Sequence, residues 1–141
     1  QYIENPSERV QMAAVKSNYL ALRYIQNPTL EILKAAVLQD PQAMRQITNL
    51  DLDTVQELLK VSTLILGYVP KQLGLTVDMV RQIITEMIAN PAVEERYVRE
   101  LVSNPAIGGR QSTWPIDILS LVDVYGSVQA KKIAIDQYLL Y

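Results

Sequence analysis

The residues best suited to recognition stand together in one loop: Arg110, Gln111 and Trp114, beside Gly108 and Gly109. Arg and Trp are the side chains most often found as anchors in protein interfaces, so these three are the candidate partner-binding residues. The alternative for Trp114 is a core plug folded onto the helices that follow. Gly108-Gly109-Arg110 lacks both the Gly-x-x-x-x-Gly-Lys spacing and the preceding strand of a phosphate-cradling loop. Arg23 and Arg45 are a second group, a candidate basic edge that Lys60 would extend toward a nucleic-acid backbone. Each also reads as a cation near a helix C-terminus, where it suits the dipole. Asp51, Asp53 and Glu57 are the densest acidic cluster. Asp51 and Asp53 would diverge on a helix and no calcium-loop spacing follows, so the reading is a solvated first turn and no metal site. The chain holds no His and no Cys. It therefore lacks the usual general base near neutral pH and the thiol nucleophile, and no pair among its 15 acids is singled out for hydrolysis. The expectation is a non-enzymatic protein without a cofactor.

The elements that must position these residues are written as a repeat. Tyr2-Ile3-Glu4-Asn5-Pro6-Ser7 is echoed by Tyr24-Ile25-Gln26-Asn27-Pro28-Thr29, an offset of 22 residues. The same offset carries Ala13-Ala14-Val15 onto Ala35-Ala36-Val37, and Ala21-Leu22-Arg23 onto Ala43-Met44-Arg45. A period in this range is the signature of stacked supersecondary units. Asn5-Pro6 and Asn27-Pro28 read as cap plus first-turn proline of an α-helix, and Asp40-Pro41 as the same signal for the second helix of a unit. Ala14 and Ala36 are expected between neighbouring helices, where a small side chain lets them approach. A third unit is degraded, with Asp51 and Asp53 loading its first turn.

After residue 67 the strict period is lost. Thr76 to Ala89 predicts an amphipathic helix with Val77, Val80, Ile83, Ile84, Met87 and Ile88 inward, and Val93, Tyr97, Val98, Leu101 and Val102 form the apolar face of the next. Glu95–Arg99 and Arg96–Glu100 are spaced as ion pairs on a solvated face. Pro105 to Pro115 reads as a loop, and Pro115 as the opening of a helix separated by Gly126 from a last one, Ser127 to Leu140. The predicted fold is all-α: an α-solenoid-like array of short helix-turn-helix repeats with a closing helical segment. Its divisions are three repeats of about 22 residues over 1–67, divergent helices over 68–105, a loop over 106–114 and a closing helical hairpin over 115–141.

Composition bounds the partners. A hydrophobic fraction of 49% argues for an ordered chain. Thirteen basic and 15 acidic residues give a net charge of −2, so no global field draws in nucleic acid or anionic membrane. The longest apolar run, Leu58 to Val69, is interrupted by Lys60, Ser62, Thr63 and Gly67 and is too short to span a bilayer. The chain begins at Gln1 and reads as a piece of a longer or processed protein.

Tyr24-Ile25-Gln26-Asn27-Pro28-Thr29, running into Lys34-Ala35-Ala36-Val37, resembles a family of short tandem helical repeats from bacteria, bacteriophages and large DNA viruses. The resemblance covers residues 1 to 50 well and 51 to 70 loosely. It implies a helical array in a viral or bacterial setting, with no catalytic centre to carry over. The expected function is protein–protein interaction or scaffolding, in the cytoplasm or a virion. The rivals are a nucleic-acid binder using the basic edge and a virion structural component.

Overall fold

The structure, a computed structural model, describes residues 7–108 and 113–139. Three α-helices, α1 (Glu8–Ser17), α2 (Leu30–Gln39) and α3 (Leu52–Leu59), begin 22 residues apart. Each is followed by a 3₁₀ helix, η1 (Tyr19–Tyr24), η2 (Pro41–Gln46) and η3 (Thr63–Tyr68), on the same period. Local hydrogen bonds set these boundaries. The side-chain oxygens of Ser7, Thr29 and Asp51 accept from the backbone N–H of Val10, Ile32 and Thr54 at 3.4, 3.3 and 2.8 Å. Those of Asn18, Asp40 and Ser62 accept from Leu20, Gln42 and Leu64 at 2.9, 2.9 and 3.2 Å. Such residues compete with helix continuation for the backbone donors, so Asn18 and Asp40 each end one helix and start the next, and Ser62 starts η3 two residues after Lys60 ends α3. In a segment of six residues the tighter i→i+3 bonds satisfy more of the backbone than i→i+4 bonds would, hence the 3₁₀ form.

The cap of α2 is Thr29 and not Asn27, which corrects the expected Asn-Pro start. Asn27 and its counterpart Asn49 lie at φ +50° and +55°, a region that Asn tolerates better than most residues. The Asn-Pro pair thus supplies the turn that reverses the chain, and the hydroxyl after it caps the helix. Asn5 and Pro6 lie outside the described residues, and the cap of α1 is Ser7. Asp40-Pro41 does cap η2 as expected.

A short 3₁₀ helix, η4 (Lys71–Leu73), ends at Gly74 in the left-handed region and breaks the period. There follow α4 (Val77–Ala89), α5 (Glu95–Ser103), α6 (Ile118–Tyr125) and α7 (Val128–Leu139). Thr76 caps α4 and Asp117 caps α6, so the helix expected to open at Pro115 starts three residues later, at the first side chain able to accept from an orphan N–H. Among the described residues there is no strand, only an isolated bridge between Ile107 and Trp114. No helix among them is long and apolar enough to cross a membrane.

The helices pack in two rows. In one, α1 lies on α2, α2 on α3, α3 on α4 and α4 on α6; in the other, η1 lies on η2, η2 on η3, η3 on α5 and α5 on α7. α4 and α6 thus continue one line of contacts, and α5 and α7 the other. Between the rows run buried residues at the repeat spacing: Val15, Val37 and Leu59 from the α-helices, and Leu22, Met44 and Leu66 from the 3₁₀ helices. Burying each side chain of this kind contributes about 1.5–3 kcal/mol relative to exposure.

Two polar contacts close the less regular half. Buried Asn104 donates from Nδ2 to the Thr63 carbonyl at 3.0 Å and accepts from the Ala106 N–H at 2.9 Å, tying the turn after α5 to η3. The Ser127 N–H donates to the Ile88 carbonyl at 2.8 Å, which anchors the α6–α7 turn to the end of α4. Gly126 in that turn sits so close that a Cβ would stand 2.5 Å from the Val122 carbonyl oxygen. No other residue fits there without a backbone shift.

Candidate functional site

Of the two readings of Trp114, exposed anchor and core plug, its burial agrees with the plug. Trp114 is 8% exposed and belongs to the core with Ile107 and Ile116. The loop is pinned at its neck, where the Trp114 carbonyl accepts from the Gly108 N–H at 2.9 Å and from the Ile116 N–H at 2.8 Å. This closure turns the indole inward, where burial of a large aromatic surface outweighs exposure. One edge of Trp114 reaches a surface cavity of about 670 Å³ shared with Val69, Leu75 and Pro105. Arg110 and Gln111 lie outside the described residues.

Arg23 and Arg45 do sit in the last turns of η1 and η2, as a cation at a helix end would. Both also reach into the next unit. Arg23 Nε donates to Gln46 Oε1 at 3.2 Å, and the Arg45 guanidinium lies 5.1 Å from the centre of the Tyr68 ring. The spacing is 23 residues in each case, so one register position is used twice to join successive 3₁₀ helices. The pairing partners were missed from sequence, although their common spacing was there to be read.

Asp51 serves α3 as its cap. Hydrogen bonds from the Thr54 side chain and N–H hold its carboxyl below the usual carboxylate range. Glu57 pairs with Lys60 at 3.0 Å. Among the described residues no three His, Cys, Asp or Glu side chains form a group able to hold a metal ion. Arg99 pairs with Glu95 at 2.7 Å and Arg96 with Glu100, both at the spacing read from sequence.

A second groove, of about 550 Å³, crosses successive units. Its floor is apolar: Met12 from α1, Ala35 and Leu38 from α2, and Val61 just after α3. Leu38 is 49% exposed there. The rim carries Lys16, Lys34, Lys60 and Arg96 against Glu31 and Glu94. Lys34 pairs with Glu31 at 3.6 Å and Arg96 with Glu94 at 3.5 Å, exposed pairs that hold each other weakly and can exchange partners. Lys16 and Lys60 stand 44 residues apart, two repeat lengths, with Leu38 midway between them. The stack thus presents one register position three times along the groove, as cation, apolar side chain and cation.

No family model, curated protein or solved structure matches this chain.

Proposed function

We propose that this chain is a non-enzymatic protein-binding module, an α-solenoid-like array that offers the groove over α1, α2 and α3 to a segment of a partner protein. The observation that carries this reading is that consecutive units each contribute an apolar side chain to one continuous floor. Stacked repeats commonly use such extended surfaces for recognition without chemistry. Lys34, Lys60 and Arg96 on the rim are each paired with an acid, which leaves Lys16, among the described residues, as the rim cation that favours an acidic residue in the partner segment. A role as a scaffold in a bacterial or viral assembly accords with the resemblance of residues 1 to 50. The nucleic-acid reading has less support, because Arg23 and Arg45 are directed to Gln46 and Tyr68 of the neighbouring units.

Selection of a random peptide library against the chain, followed by calorimetry on the recovered peptides, tests the proposal. Leu38→Asp removes about half a buried Leu from the contact, which corresponds to roughly a tenfold loss of affinity. Lys16→Glu should weaken the same peptides in a salt-dependent way. Recovered peptides that ignore both substitutions would refute this use of the groove.

A further inference from the structure

Lys16, Leu38 and Lys60 hold one register position in successive units, 22 residues apart each time. Leu38 is 49% exposed at the middle of the groove floor. Its helix, α2, is packed between α1 and α3, so this exposure belongs to the inside of the stack and owes nothing to either chain end. The flanking positions differ in charge. Lys60 is joined to Glu57 at 3.0 Å, whereas Lys16 is exposed and has no acid partner among the described residues. Next to Lys60, half-buried Val61 supplies the apolar floor of the third unit. Across the stack, the groove therefore offers a cation from α1, a leucine from α2 and a valine just after α3.

A chain lying in this groove meets each unit in turn, so its contact residues must advance by one helix-to-helix step, about 8–10 Å. Same-facing residues of a β-strand advance about 6.7 Å and fall short of that step. A helix laid along the same line crosses α1 and α2 near the perpendicular, the rarest class of helix packing. A polyproline II segment turns once every three residues and advances about 9 Å in doing so. Every third side chain then faces the floor at the spacing of the units. Such a segment keeps its backbone polar groups in water, so an apolar floor leaves none of them unsatisfied.

We infer that the groove receives an extended polyproline II segment of a partner protein and reads it at every third residue. A carboxylate lies over Lys16, an apolar side chain against Leu38 and a second apolar side chain against Val61. The inference rests on the proposed protein-binding role and adds to it the conformation, spacing and charge of the occupant. An exposed pair with Lys16 contributes little affinity, and its work is to set the direction and register in which the segment lies.

Nuclear magnetic resonance titration with two end-blocked synthetic peptides tests it: Glu-Pro-Pro-Leu-Pro-Pro-Leu and the reversed sequence, Leu-Pro-Pro-Leu-Pro-Pro-Glu. One of the two directions should bind. Replacing its Glu by Gln should weaken that peptide about two- to fivefold, the range of an exposed ion pair. In the Lys16→Gln chain the Glu and Gln peptides should bind equally, whereas in the Lys60→Gln chain the difference should persist. Moving the glutamate to two or four residues from the central leucine should remove the response to Lys16→Gln. Both substitutions are at exposed positions, so their circular dichroism melts should match that of wild type. A charge response that is independent of spacing overturns the inference. So does tighter binding by a stable helix carrying the same three residues seven apart, and so does failure of both peptides to bind. If library peptides still depend on Leu38 in any of these cases, the proposed function stands without this inference; if they do not, both fall.

Discussion

Ala14 and Ala36 occupy the same place in successive repeats, so enlarging both to Leu makes an internally controlled experiment. Ala36 is fully buried in α2, which packs against α1 on one side and α3 on the other. Replacing its methyl by an isobutyl group forces the neighbours apart or the new side chain off its rotamer, at a cost of about 1–3 kcal/mol. Leu58 is fully buried at the same register in α3, so a Leu is accepted where the surroundings are built for it. Those of α2 are built around a methyl group. At Ala14 the same substitution lies on the exposed face of α1 and should change stability by less than about 0.5 kcal/mol. For a domain of this size 1 kcal/mol moves the melting temperature by about 3 °C, so Ala36→Leu should lower it by roughly 3–10 °C. Urea denaturation followed by far-UV circular dichroism should show a lower midpoint at unchanged slope. An unchanged midpoint for Ala36→Leu, or equal losses at the two sites, would refute the packing of α2 between its neighbours.

Two further outcomes are expected. The Tyr97 hydroxyl is buried with no hydrogen-bond partner, and burial pushes its phenol well above the usual tyrosine range. Tyr97→Phe should therefore stabilise the fold by on the order of 1 kcal/mol, and a lower melting temperature would show that the hydroxyl is satisfied. The Asp51 carboxyl is depressed below 3.8, so its contribution is present above that value and lost as pH falls through the folded pKa. Asp51→Asn keeps an oxygen able to cap α3. It should match wild type in strong acid and lag behind it near neutral pH, and a constant difference across the range would refute the assignment.

The 22-residue period was legible in the sequence because its causes are local. Ser7, Thr29 and Asp51 act three residues ahead, and Asn18, Asp40 and Ser62 two residues ahead, so the chain need not know its tertiary neighbours to place these caps. The pattern of Thr76 to Ala89 was legible for a similar reason, with a cap followed by an apolar stripe at helical spacing. Choosing between Asn27 and Thr29 as the cap needed the backbone. Both residue types cap well, and only the positive φ of Asn27 removes it from that role.

Of the candidate groove's lining, the sequence offers Lys60 as part of a basic edge, Arg96 as half of an ion pair, and Lys34 and Ala35 in the repeat text, none of them as one surface. Its floor gathers Met12, Leu38 and Val61 from three units, and nothing in any one unit marks them as a common surface. Trp114 shows the same limit from the other side. Its residue type suited an exposed anchor and a core plug alike, and the closure of its loop onto Ile107 and Ile116 sets it in the core. The sequence by itself determined the period of the early helices, since it depends on hydrogen bonds within a turn or two of chain. Only the tertiary structure decided that α4 packs against α3 and α6, and α5 against η3 and α7. It alone separated Ala14 from Ala36, because burial depends on what lies beside a helix, and that neighbour is not written in the helix itself.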